Sequence, residues 1–150
     1  MMSRTAAREI AMHLSFATVM NRMDIREMLD DFFDRDYFAT LAEEDPVYAE
    51  YPDERQLSYI RRVAEGVSVH AAELDGYIGK YAKNWQFARI SRVAAAILRT
   101  AMYEILYLPE VPYKAAANEA VELAKTYEGK ETAGFINGIL ASFITDEHHE

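Results

Sequence analysis

The chain has 150 residues, 51% hydrophobic and 27% charged, with 6 Gly, 4 Pro and no Cys. That composition excludes a disordered or collagen-like chain, and the missing Cys excludes disulfides, thiol catalysis, thiolate metal sites and Cys-held iron–sulfur clusters. A chain this long buries roughly 70% of its extended surface, so residues 1–150 are expected to form a single domain. The net charge of −9 is unevenly spread: residues 24–54 hold twelve Asp/Glu against two Arg, leaving the other 119 residues at +1. An acidic total therefore does not by itself exclude a polyanionic partner.

The spacing of Ala6, Ile10, Leu14 and Ala17 predicts a first helix over 4–21. At about 100° per residue, Arg4, Arg8, Ser15 and Arg22 fall on its opposite side, a cationic face set against an apolar one. A second helix is expected from Asp24 to about Glu44, with Asp24 as N-cap and Glu27 completing a capping box. Its acidic side is expected to face water. The two prolines of 45–52 mark a connection. A third helix is expected over 54–81, with Gly66 and Gly76 as points of bending or close contact. A continuously apolar central helix is expected from about Ser91 to Leu108, and another over 113–127 after Pro109 and Pro112. A final helix carries Phe135, Ile136, Ile139, Leu140 and Phe143 before a frayed tail, Asp146–Glu150. No strand alternation competes, so the expected class is all-α, about six or seven helices.

The chain has no HExxH, Walker loop, GxSxG or His/Cys ligand spacing, so no catalytic residue, metal ligand or cofactor site is assigned. His13 and His70 read as hydrogen-bonded or surface helix residues, and His148 and His149 as polar terminal residues. Glu119 and Glu122 share a helix side but lack the Glu-x-x-His partners of a diiron bundle. Asn118 and Asn137-Gly138 sit among core-type residues, where an amide would lock two helices and the glycine would allow close packing. Residues 80–99 carry Lys80, Lys83, Arg89, Arg92 and Arg99 with no carboxylate, a second candidate cationic surface. No 18-residue apolar run occurs and the N-terminal segment is charged, so no membrane association and a cytoplasmic location are expected.

The second half of the chain carries Ala96-Ile97-Leu98-Arg99 with Tyr103-Glu104, then Val111-Pro112, then Asn118-Glu119-Ala120-Val121-Glu122-Leu123-Ala124-Lys125, then Phe135-Ile136-Asn137-Gly138. In order and spacing these pieces resemble the NusB family of transcription antitermination factors. Thr5–Glu9 and Trp85 before Arg89 and Arg92 extend the likeness over most of the chain, with 24–54 nearly silent.

The resemblance implies two small helical subbundles and a non-enzymatic role in bacterial transcription. It implies binding of boxA-like single-stranded ribosomal RNA together with the ribosomal protein NusE, within the elongation complex. Some members form homodimers that cover the RNA surface. Carried over by motif, the RNA-binding candidates are Arg4, Arg8, Lys130 and Phe135. Arg99, Glu104, Asn118, Glu119, Asn137 and Gly138 are the structural motif. The N-terminal arginine set is thinner than the family's usual cluster, which points to greater dependence on a partner. The alternative is a NusB-like protein-interaction module with weak or lost RNA binding. The acidic segment is expected to serve solubility or to steer a basic ribosomal partner.

Overall fold

The computed structural model describes residues 1–20, 24–82 and 90–147. All regular structure among them is helical: α1 (Arg4–Met20), α2 (Ile25–Phe32), α3 (Arg35–Thr40), α4 (Glu54–Val69), α5 (Ala71–Tyr81), α6 (Arg92–Tyr107), α7 (Tyr113–Tyr127) and α8 (Lys130–Glu147). Two short 3-10 turns, Leu41–Glu43 and Pro46–Tyr48, lie between α3 and α4. The chain divides into two compact units, Met1–Ser68 and Val69–Glu150, matching the expected pair of subbundles. No described helix is long and apolar enough to cross a membrane.

Eight described helices replace the expected six or seven because two predicted helices each divide. In the first unit, Phe33 leaves helical geometry at φ −91, ψ 9, and Asp34 caps α3 by accepting from the Tyr37 N–H at 3.0 Å. The expected cap at Asp24 is present, accepting from the Arg26 and Glu27 N–H groups at 2.9 and 3.3 Å. Around the break an aromatic cluster forms the interior. Phe32 and Phe33 centroids are 4.9 Å apart, and Phe38 lies 5.6 Å from Tyr48 and 5.2 Å from Tyr51. Tyr51 donates its O–H to the Phe33 carbonyl at 2.7 Å. Ten of the twelve carboxylates of 24–54 are exposed and Asp45 and Asp53 are half-buried, so the acidic segment is an apolar cluster with a charged exterior.

The expected helix over 54–81 breaks at His70, whose φ of −99 and ψ of 15 leave the helical range before α5. The break does not fall at a glycine. Gly76 is exposed, with nothing within 4 Å of where a Cβ would stand, whereas Gly66 is buried within α4.

In the second unit α6 packs against α5, α7 and α8. Every residue from Ala94 to Ile105 is buried, as the unbroken apolar run requires. Within that run Arg99, 6% exposed, donates its Nε–H to Asp75 Oδ1 on α5 at 2.6 Å, and Glu104 is fully buried. Tyr107 donates to Glu73 Oε1 at 2.6 Å, and that bond leads the effects pushing its phenol up to about 12. The α8 helix includes Asp146 and Glu147, the first two of the five residues expected to fray: Glu147 accepts from Lys80 Nζ at 2.8 Å and from the Tyr81 hydroxyl. His148 and His149 lie outside the described residues.

Between α7 and α8, Gly129 has φ +112, a conformation that side chains with a Cβ resist. The Glu128 and Gly129 N–H groups both donate to the Ala124 carbonyl, at 2.8 and 2.9 Å. This closes α7 and places Lys130 in the first turn of α8.

Candidate nucleic-acid interface

The α1 helix starts where Ser3 Oγ accepts the Ala6 N–H at 3.0 Å. That cap sets Arg4 in the first turn and Arg8 one turn further. Arg4 is half-buried. Its Nε–H donates to Gln56 Oε1 at 2.9 Å, and its guanidinium lies 3.9 Å from the centre of the Tyr59 ring. Both partners sit on α4 and both are neutral, so the cation is anchored without being neutralised. Arg8 is 5% exposed, with its guanidinium 5.9 Å from the same ring.

This corrects the expected cationic face. Arg8 and Ser15 are buried, Ser15 completely, along with the adjoining Ala7 and Ala11. The α1 helix is thus covered on much of the side that its wheel assigned to water. Of the two described arginines Arg4 lies at the rim and Arg8 is buried; Arg22 lies outside the described residues. Arg8 reads from its burial as a residue that supports Tyr59, on which Arg4 rests.

The stretch 80–99 is corrected in the same way. Although it holds no carboxylate of its own, Glu147 approaches Lys80 at 2.8 Å and Asp75 approaches Arg99 at 2.6 Å. Arg92 is exposed, while Lys83, Trp85 and Arg89 lie outside the described residues.

In the second unit Lys130 is exposed and Phe135 is half-buried. On the α8 wheel Lys130, Gly134, Asn137 and Ala141 fall together, opposite Ile136, Ile139, Leu140 and Phe143, and Phe135 flanks the two faces. The burial follows the wheel: the first four are exposed and the second four buried. Lys130 and Asn137 therefore share one open face, and the first turn of an 18-residue helix adds a field favourable to an anion.

The expected helix-locking roles of Asn118, Asn137 and Gly138 do not hold. Both amides are exposed, and a Cβ built on Gly138 would meet nothing within 4 Å. Their neighbours in sequence are core residues, but a step of one residue rotates the side chain by about 100°. Arg99 and Glu104 are buried as motif residues, and Glu119 is half-buried. Asn118 lies on an open face of α7 with Lys114 and Lys125, the latter paired with Glu122 at 3.2 Å. The exposure of these amides and lysines was missed in the sequence. The wheel of each helix, read separately from its neighbours' hydrophobicity, carries the signal that finds them.

Residues 5–145 match the model of the NusB family. The chain is 39% identical over 143 residues to the transcription antitermination protein NusB of Acetivibrio thermocellus, covering 95% of this chain and 89% of that protein. It is 34% identical over 147 residues to its namesake from Clostridium botulinum, covering 95% and 100%. Among solved structures, T. maritima NusB superposes with a TM-score of 0.76 at 26% identity, covering 96% of this chain and 92% of that one. With the helical order, the buried Arg99 and Glu104 and a match running nearly end to end, the chain belongs to the NusB family.

Proposed function

We propose that this chain is a transcription antitermination factor that binds boxA-like single-stranded RNA together with NusE, in the bacterial cytoplasm. Residues 1–150 would act as a single RNA-binding domain recruited to the elongation complex. Its role is assembly rather than turnover. The family match over 5–145 carries this reading, and the accessible cations give it a physical basis. Arg4 offers a charge anchored by neutral partners, while Lys130 and Asn137 offer a charge and an amide on one open helix face. Lysine and arginine hold phosphates, an amide reads base edges, and an aromatic ring such as the half-buried Phe135 can stack on a base.

Arg8 enters this reading as a positioning residue behind Arg4. The burial of Arg8 also favours a second reading, a protein-interaction module whose RNA binding is weak alone.

Arg4→Ala and Lys130→Ala, titrated with boxA RNA in the presence of NusE, are expected to weaken binding roughly threefold to tenfold each. Each should reduce the slope of log affinity against log salt by about 0.7. Melting temperatures should stay close to wild type, because Lys130 is exposed and Arg4 lies at the rim. Unchanged affinity and slope in both variants would contradict the site, and weak, sequence-indifferent RNA binding by the parent with intact NusE binding would favour the second reading.

A further inference from the structure

Glu9 and His13 stand one turn apart on α1, and Asp45 reaches them from the turn before Pro46, all half-buried. One ligand atom from each lies within 4.8 Å of the others. His13 Nε2 is 3.9 Å from Glu9 Oε2. Two ligand atoms held about 2.1 Å from one tetrahedral ion sit about 3.4 Å apart.

We propose that Glu9, His13 and Asp45 form a binding site for a divalent transition-metal ion that staples the acidic segment to α1. The donor set is one imidazole and two carboxylates, whose charge balances a dication. An imidazole ligand suits Zn2+ and its neighbours in the first transition row better than Mg2+ or Ca2+, which take oxygen ligands. Three protein ligands leave the remaining positions to water.

The surroundings prepare His13 as a ligand. Its Nδ1 lies 2.5 Å from the Tyr48 hydroxyl, which can donate to or accept from the ring. With a metal on Nε2, the proton resides on Nδ1 and is donated to Tyr48, the outer contact that orients ligating histidines. Burial lowers the imidazole's affinity for protons despite the nearby Glu9 and Asp45. Asp45 uses Oδ1 to accept the Val47 N–H at 3.0 Å, and its other oxygen remains to bind. A cleft of about 370 Å³ lined by His13, Met28, Asp31, Phe32, Tyr37 and Tyr48 lies beside the imidazole. All of these residues belong to the first unit.

The test uses ZnCl2 with the full chain carrying His148→Gln and His149→Gln, so that the tail histidines do not contribute. Calorimetry is expected to show one ion bound per chain. At a free concentration 100-fold above Kd, the melting temperature should rise by roughly 5–10 °C. His13→Gln, Asp45→Asn and Glu9→Gln should each weaken binding at least tenfold. Circular dichroism of the metal-free variants checks their folding, and Asp45→Asn, on a half-buried turn, is the least intrusive of them. Absence of binding, equal binding in Asp45→Asn and the parent, or an equal response to MgCl2 would overturn the site.

Discussion

Phe143→Ala is expected to cost about 3–5 kcal/mol of stability. Phe143 is fully buried on α8, and its ring meets Tyr77 at 5.2 Å and 72° and Tyr81 at 6.0 Å and 82°. Truncation removes the transfer free energy of a whole aromatic side chain and leaves a cavity that two rings from α5 border. It also removes two edge-to-face contacts worth about 0.5–1.5 kcal/mol each beyond area burial. Alanine is a good helix former, so the loss is one of packing and not of helix propensity. Urea unfolding gives the size of the effect, and amide exchange gives its place: protection should fall most in α5 and α8. A loss below about 1 kcal/mol would mean that α8 is not docked through this side chain.

Arg8→Ala is expected to destabilise the chain by about 2–4 kcal/mol, whereas Arg4→Ala should cost under about 1 kcal/mol. The two arginines are one helical turn apart and approach the same Tyr59 ring, but Arg8 is 5% exposed and Arg4 half-buried. Removing Arg8 deletes a buried aliphatic stem and the contacts of a buried cation. Arg8→Met, which keeps an unbranched stem, should recover part of the loss. Thermal or urea unfolding of the three variants orders them. An Arg8→Ala protein that melts like wild type yet binds boxA RNA weakly would return Arg8 to direct contact with the strand.

This contrast shows why the fold was more legible in the sequence than the site. The apolar run of α6 and the span of α7 follow directly from hydrophobic order, and the cap at Asp24 from local chemistry. Helix divisions at Phe33–Asp34 and at His70 were hidden, because one non-helical residue barely disturbs a three/four apolar spacing. Val67, Ala71, Leu74 and Ile78 keep that spacing across the break.

The site depends on exposure, which one helix's wheel only half determines. Ala7, Ala11 and Ser15, small residues at four-residue intervals beside Arg8, permit close approach of other chain segments, so the polar side of α1 is buried too. Conversely, Asn137 was assigned to the interior from its sequence neighbours when its angle on α8 places it in solvent. Charge in sequence also misleads: Lys80 and Arg99 meet Glu147 and Asp75, carboxylates 67 and 24 residues away.

On the proposed function, this acidic NusB-family chain would hold a boxA strand through a few accessible cations, with NusE supplying what the thin arginine set lacks. The most direct test is a titration of boxA and scrambled single-stranded RNA against the full chain, each with and without NusE, over several salt concentrations. The account predicts weak, strongly salt-dependent binding alone and a stable ternary complex that prefers boxA. RNA affinity that ignores both salt and sequence, with NusE bound and no ternary complex formed, would contradict it.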